Sequence, residues 1–549
     1  MRGQIDKTNL GCAFQRDYHL RAHKTQVSSL ATRTIRKIRQ SIPCTLHSKM
    51  VSIHADLSAL NEEFARLDCP AILGGNPAKL NGDGFSYWAA EPREIFEFGA
   101  GEHNPFEKLR RLLNKYIFEP DGASEIKHLL PWGVFVGGWI GYFSYDLGRF
   151  IEKLPRTTVD DLGMPLIRLC FYDRLIAYDH HAERFWLTAL KLPADTETPD
   201  EKLAGLEQML VHSSRVSIVP PQRGDIEHTD IADLNSNMDR AYYLRAFEKT
   251  KRYIYDGDVY QINFSQRFDC EFRGRPIDLY HWQNGYNPSP CAAYINGGGF
   301  SIVSASPELF VRICDGYIQT KPIKGTRPRL SETSPDAHRA AEINAHNYAE
   351  LLHSEKEQAE LNMIIDLERN DLARVCMPGT RTVTQPRTIE AHPTVFHAVA
   401  TVGGQLRDDV SLCEVLKAMF PGGSITGAPK VRAMQIIEQL EPTARGLYTG
   451  SIGYIGLDGS VCLNIAIRTI IITNRRAYVQ TGGGIVADSD PQAEWDETIT
   501  KARALLAAIR SVERRADSVE RRADSVKCGA DSVECGADSV ERGADSTEP

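Results

Sequence analysis

The clearest period-two stretch in the chain is Val259-Tyr-Gln-Ile-Asn-Phe-Ser-Gln-Arg-Phe268, where apolar and polar positions alternate as a strand requires. Shorter β-prone runs follow at 292–296, 300–304 and 309–313, and the last third returns to the pattern at 450–456, 461–472 and 477–482. Helical spacing separates these groups. Tyr242, Phe247 and Ile254 share one face of a helix predicted over 238–255, with Ser236-Asn237 as its polar start and Gly257 as its stop. A longer helical region covers about 337–374, and a closing helix runs from about 491 to 512.

Upstream the pattern is more mixed. Phe135-Val-Gly-Gly-Trp-Ile-Gly-Tyr-Phe-Ser-Tyr-Asp-Leu-Gly-Arg149 interrupts aromatic, β-prone residues with glycines, which suits a bulged strand in a packed sheet. Residues 170–178 and 184–190 read as a hairpin around Asp179-His-His-Ala-Glu183. Residues 193–237 are polar, contain Pro220-Pro221, and form a connector with one helix near 201–212.

Both ends differ from this pattern. Residues 1–49 hold ten Lys/Arg against two acids and no long apolar core, so either a disordered extension or a start codon called too early, with Met50 the working start, is expected there. From Ser511 a seven-residue unit repeats, with copies beginning at Ser518, Ser525, Ser532 and Ser539. Val and Ala are its only steady apolar residues and Gly enters from the third copy on, so no coiled-coil seam forms and a disordered tail is expected.

Composition narrows the chemistry. A net charge of −8 gives no basic surface for nucleic acid, and no apolar run approaches the roughly 20 residues of a membrane span. The 12 cysteines are scattered without metal-binding pairs, which points to a reducing, cytoplasmic setting.

Candidate chemistry concentrates in the second half. In Gln319-Thr-Lys-Pro-Ile-Lys-Gly-Thr-Arg-Pro-Arg329, Lys324 sits between Pro322 and Gly325 at a sharp turn, where a partly buried amine can become a nucleophile. The pairs Glu357/Glu360 and Glu494/Glu497 are spaced i, i+3, so each pair lies on one helix face. Carboxylates from two helices, with water and a ligand oxygen, suit magnesium. Phe420-Pro-Gly-Gly-Ser-Ile-Thr-Gly-Ala-Pro-Lys430 is not a nucleotide phosphate loop, because Ala428 stands where that motif requires Lys. It is a glycine turn feeding a helix, and with Gly482-Gly-Gly-Ile-Val-Ala-Asp-Ser489 it offers backbone N–H groups to a carboxylate. With Arg468 on a strand, and Lys501 one turn past Glu497, these features suggest a site for a dianionic small acid.

Residues of about 236–510 resemble the chorismate-binding domain of the anthranilate synthase component I family. The resemblance rests on Asp258–Asn263, Ser306-Pro-Glu308, Pro322-Ile-Lys-Gly-Thr326, Asp366-Leu-Glu-Arg-Asn-Asp371, Phe420–Lys430, Ile467-Arg-Thr469 and Gly482–Ser489. It implies an α+β fold of two intertwined lobes, with stacked antiparallel sheets flanked by helices. The segments expected are 1–49, an N-terminal lobe at 50–192, a connector at 193–237, the catalytic domain at 238–510 and the tail at 511–549. Position 324 separates branches of the family: anthranilate synthases carry Ala there, and the branch that forms 4-amino-4-deoxychorismate for p-aminobenzoate and folate synthesis carries Lys, as here.

The resemblance also implies roles. Lys324 adds covalently to chorismate, Glu308 is the general acid/base, and Glu360 and Glu497 hold Mg2+. Arg468 with Tyr448 binds the enolpyruvyl carboxylate, and Thr426, Gly427, Gly483, Gly484 and Lys501 complete the pocket, with His397 beside it. Gln261 stands where isochorismate- and salicylate-forming relatives carry Lys, which disfavours hydroxylation. Nothing resembles a glutaminase, so ammonia is expected from a separate glutamine amidotransferase subunit. The alternatives are anthranilate formation or an inactive glutaminase-binding partner. Ile72-Leu-Gly-Gly75 puts Gly where the family's tryptophan-binding stretch has Ser, so a tryptophan site is not expected, although Asn287-Pro-Ser-Pro290 resembles another part of it.

Overall fold

The computed structural model describes residues 41–75, 84–119, 130–219, 221, 235–331 and 337–537, with side chains as far as residue 516. Residues 1–40 and the last repeat copies lie outside that range, so most of the expected N-terminal extension does too.

Both lobes build both sheets. The 13-stranded sheet runs from Asn235–Ser236 through Gln261–Glu271, Arg476–Ile485, Thr469–Thr473, Phe300–Ser306 and Cys291–Asn296. It continues into the N-terminal strands Ala71–Leu73, Phe85–Ala89, Arg174–Asp179, Arg184–Lys191, Ile42–Val51 and Tyr116–Phe118, with Gly427–Ala428 as a side branch on Gln261–Glu271. The 10-stranded sheet starts at Ile323–Pro328 and passes through Val395–Gln405, Tyr317–Lys321, Leu309–Cys314, Val461–Asn464 and Ser451–Gly456. It then enters the N-terminal strands Gly138–Phe143, Ile167–Tyr172 and Glu94–Phe98. Nearly all pairings are antiparallel, as expected, and the lobes are intertwined because neither sheet stops at the lobe boundary.

Helices cover these sheets with their apolar faces. Pro491–Ala537 inserts Ala502, Leu505, Leu506, Ile509 and Val512 into the core that holds Phe268, Ile470 and Val479. Glu355–Ala373 contributes Leu361, Ile365 and Leu372 to the other large core, with Phe310, Val402 and Leu463. Removing so much apolar surface from water is the main stabilising term.

Two turns carry the chain from one sheet to the other. Residues 307–308 join Phe300–Ser306 of the larger sheet to Leu309–Cys314 of the smaller, and residues 465–468 make the reverse passage from Val461–Asn464 to Thr469–Thr473. The turns are tied together: Ile465 N donates to Glu308 O at 3.0 Å and Ala305 N donates to Arg468 O at 3.1 Å. Both expected site residues at these turns, Glu308 and Arg468, are therefore placed by the same constraint.

Several expectations change. The apolar run 461–472 is two strands, because residues 465–468 leave the sheet, and Arg468 lies off any strand at φ +50°. The helical region 337–374 is two helices, Ala337–His353 and Glu355–Ala373, with the Ser354 side chain capping the second through Glu357 N at 3.3 Å. The hairpin Thr382–Ala391 with Val395–Gln405 was not anticipated. Ile42–Val51 pairs along Arg184–Lys191, so residues 42–49 belong to the sheet and Met50 lies within its strand. The closing helix continues to Ala537, where the disordered tail was expected from residue 511; a helix already anchored by packing propagates at little cost through Ala-, Glu- and Arg-bearing sequence.

The glycine-rich strand Gly138–Phe143 keeps an unbroken register with both neighbours, in place of the expected bulge. Its glycines serve close approach. A Cβ on Gly141 would lie 1.9 Å from Arg168 O, a backbone atom that cannot swing away. Gly141→Ala is expected to lower stability by about 3 kcal/mol or more, whereas Gly205→Ala, in open space on the helix Pro199–Ser213, is expected to raise it by roughly 0.5–1 kcal/mol. Thermal or urea midpoints of the two variants check the contrast.

Candidate active site

Lys324 is aimed by a β-bulge. On Ile323–Pro328, Ile323 faces Val399 and Thr326 faces His397, so Lys324 and Gly325 together oppose the single residue Ala398. Gly325 makes this possible at φ +89°, and a Cβ there would meet Leu351 Cδ1 at 2.8 Å and Glu357 Oε2 at 3.0 Å. The extra residue turns the half-buried Lys324 toward the glycine run of the other sheet. Its Nζ lies 3.6 Å from the point a Cβ on Gly484 would occupy. Burial pulls the Lys324 amine below its ordinary pKa, and the attraction of Glu360 and Glu308 does not restore it.

Glu308 is 4% exposed and approaches Ile323 N at 3.5 Å through Oε1. Burial raises its carboxyl pKa, with Ser424, Lys324 and Arg468 pulling the other way. Arg468 is itself lowered by burial and partly compensated by Glu308. His397 is 2% exposed, and its Nδ1 pairs with Thr326 Oγ1 at 2.9 Å while Nε2 has no partner. Burial, then Arg468 and His392, push its pKa down to about 3, so the ring is neutral at physiological pH.

The two acidic pairs each divide. Glu357 turns to Arg327 at 3.2 Å, leaving Glu360 as the carboxylate that acts most strongly on Lys324. Burial raises Glu360, and Glu357 and Glu497 add to that while Lys324 opposes it. Glu494 accepts from Ser489 Oγ at 2.7 Å, and its other oxygen is buried without a partner under Gly483. Glu497 pairs with Lys501 at 2.7 Å; burial works to raise its carboxyl, but Lys501 prevails and lowers it. Lys501 Nζ also donates to Gly482 O at 2.9 Å, which ties this helix to the glycine run.

Gly482–Gly484 lie inside the strand Arg476–Ile485, opposite Ser265, Phe264 and Asn263, and do not leave it as expected. Gln261 is 1% exposed, and its amide nitrogen stands 2.1 Å from where a Gly484 Cβ would be, so a side chain there would have to push the Gln261 amide aside. The 420–430 loop joins the same strand: Asn263 N donates to Thr426 O at 2.8 Å, and Gly427 pairs with Ile262. Thr426 donates its hydroxyl proton to Gly422 O at 3.0 Å, leaving only lone pairs for a ligand. Tyr448 is buried beside Arg445, which donates to Asn263 O at 2.6 Å and pairs with Glu441 at 2.8 Å.

The structure therefore gathers Lys324, Glu308, Glu360, Arg468, His397, Gly484, Glu497 and Lys501 into one electrostatically connected group. Thr426, Gly427 and Tyr448 are linked to it through the strand Gln261–Glu271. Two neighbours were not singled out from sequence: Ser424, beside Glu308, and Glu368, behind the loop. Among the described residues, the one trio of acidic, His or Cys groups with ligand atoms within 4.8 Å of each other is Glu62, Asp278 and His281, on the helices Leu57–Ala65 and Pro276–Tyr286, and it includes none of Glu360, Glu494 and Glu497. No described helix is long and apolar enough to cross a membrane.

The model of the chorismate binding enzyme family matches residues 79–507 of this chain. The chain belongs to that family. It is 40% identical over 390 residues to aminodeoxychorismate synthase component 1 of Bacillus subtilis, covering 71% of this chain and 80% of the relative. It is also 40% identical over 387 residues to anthranilate synthase component 1 of Pseudomonas aeruginosa, covering 70% and 77%. The crystal structure of anthranilate synthase component I from Streptococcus pneumoniae superposes with a TM-score of 0.64 at 31% identity, over 78% of this chain and 93% of that one. The isochorismate synthase MenF from Escherichia coli shares the fold, with a TM-score of 0.60 at 18% identity over 87% and 98%.

The His397 shift has a consequence for stability. Its pKa falls from 6.5 unfolded to about 3 folded, so the unfolded chain takes up a proton that the folded chain refuses between those values. This contribution to stability is present above pH 6.5 and is lost as pH falls toward 3. His397→Gln should lose less stability than the parent between pH 7 and 5 (about two pH units), measured as thermal midpoints at each pH.

Proposed function

We propose that this protein aminates chorismate at C4, as component 1 of a two-component synthase that forms 4-amino-4-deoxychorismate. The observation that carries the reading is the Lys324 amine, aimed at Gly484 between Glu308 and Glu360, with its pKa lowered by burial. A neutral amine is a nucleophile; an ammonium is not. The Lys324 nitrogen adds at C2 of the ring as the C4–O bond breaks. Glu308, whose carboxyl burial makes a weaker acid, delivers the proton with which the hydroxyl leaves as water. Ammonia then adds at C4, and Lys324 departs from C2 to regenerate the free enzyme.

The remaining residues bind and orient. Arg468, desolvated beside Glu308, supports holding the enolpyruvyl carboxylate, with Tyr448 behind it and the Gly483–Gly484 and Thr426–Gly427 segments forming the walls. Lys501 supplies a second cation at the glycine run. Neutral His397 is suited to a hydrogen bond and not to a charge contact.

Glu360 and Glu497 fit magnesium. Glu497 adds to the raised pKa of Glu360, and Glu494 keeps a buried oxygen without a partner; a hard dication would relieve both. The ion would supply positive charge at the ring carboxylate. The relatives' names, component 1, support a second component, which on this reading is the glutamine amidotransferase subunit that supplies ammonia. Gln261, at the position of the water-activating Lys of isochorismate-forming relatives, cannot serve as a base, which supports amination over hydroxylation.

A second reading, anthranilate formation, draws support from the relative of that name at the same 40% identity. The two give different products. Incubation with chorismate, Mg2+ and ammonium should yield 4-amino-4-deoxychorismate by mass without pyruvate, and Lys324→Ala should reduce that product by at least about a thousandfold. Anthranilate with stoichiometric pyruvate from the parent enzyme would establish the second reading instead.

A further inference from the structure

Behind the 420–430 loop lies a buried polar cluster that the chemistry above does not use. Glu368, on the helix Glu355–Ala373, is 3% exposed, and its Oε1 accepts from Gly423 N at 3.3 Å. Its Oε2 is buried without a partner. Three residues on, Asp371 is 5% exposed and pairs with Lys430 at 2.5 Å. Lys430 also donates to Met419 O at 2.7 Å. The helix thus grips the loop at both ends, at Gly423 where it begins and at Lys430 where it becomes the helix Lys430–Leu440.

The grip is close. A Cβ on Gly423 would lie 2.5 Å from Leu367 Cδ2 and 3.2 Å from Glu368 Oε1, so the loop backbone rests against these two side chains of the helix. Between the two anchors lie Ser424, which adjoins Glu308, and Thr426 and Gly427, which join the strand that faces Gly484. A carboxylate buried beside another acid destabilises the fold unless it is fully paired, and Glu368 keeps one oxygen without a partner.

We infer that Glu368 is a positioning residue: its hydrogen bond to Gly423 N, with the Asp371–Lys430 tether, sets the loop in the shape that receives chorismate. This rests on the loop forming a wall of the substrate site. It goes beyond that reading by assigning a determinant of binding to a residue that touches no substrate. The same helix carries Glu360 two turns earlier, so the loop and one of the carboxylates facing Lys324 share a single rigid support.

Chorismate affinity, titrated calorimetrically with Mg2+ and without ammonia, tests this independently of which product forms. Glu368→Ala should weaken binding by about tenfold or more. Glu368→Gln, whose amide oxygen still accepts from Gly423, should stay within about threefold of the parent. Should Glu368→Ala fail to fold, Gly423→Ala provides the second arm, since the new methyl crowds Leu367 and Glu368 at the contact between loop and helix while leaving the carboxylate in place. It should weaken binding similarly, and the double variant Leu367→Ala/Gly423→Ala, which removes the obstructing side chain, should recover it. Parental affinity in Glu368→Ala or Gly423→Ala, with only the thermal midpoint lowered, would overturn the inference, as would equal loss in Glu368→Gln and Glu368→Ala. Failure of the parent protein to bind chorismate would instead strike at the functional reading.

Discussion

Desolvation of one amine organises this molecule's chemistry. A lysine side chain in water is an ammonium and cannot attack carbon. Lys324 is held where burial outweighs two neighbouring carboxylates, which lowers its pKa and eases loss of the proton. Holding it there takes a bulge in an edge strand, a glycine at positive φ, and a facing strand stripped of side chains at Gly484. Each feature costs stability by itself, and the two sheets shared by both lobes supply the rigidity that sustains them.

The turns between sheets do the rest of the placement. Glu308 and Arg468 sit at the two points where the chain passes between layers, cross-linked by backbone hydrogen bonds. A residue at such a turn points into the space between sheets without interrupting either ladder. The buried Arg445–Glu441 pair fixes the neighbouring strand and loop by donating to Asn263 O and Ile425 O. Polar groups are abundant in this core; among the unpartnered ones, Gln261 Oε1, Asn263 Oδ1, His397 Nε2, Glu494 Oε2 and Glu368 Oε2 border or back the candidate site, while others, such as Trp139 Nε1 and the Gln283 amide, lie elsewhere.

Much of this was legible in the residues themselves. The alternation at 259–268 marked the strand Gln261–Glu271: both of its faces are largely buried, but Gln261, Asn263, Ser265 and Arg267 keep one of them polar, so period two survives. Pro and Gly around Lys324 announced the turn that became the bulge. The passage at 465–468 was hidden, since an apolar run buried on both sides shows no period where it changes sheets. The hairpin of Thr382–Ala391 was obscured by Pro386 and by register shifts that break period two. The break at Ser354 had a signal, Ser354 followed by Glu357, which marks a helix start. The partnership of Glu368 with Gly423 had none, because it joins positions 55 residues apart that only the fold brings together.

The account stands most directly on a covalent bond to Lys324. Mixing the protein with chorismate and Mg2+ without ammonia, quenching in acid and mapping peptides by mass should find chorismate less one water on the Lys324 peptide, and nothing in Lys324→Ala. Normal turnover to 4-amino-4-deoxychorismate with ammonium, by either the parent lacking any such adduct or by Lys324→Ala, would contradict it.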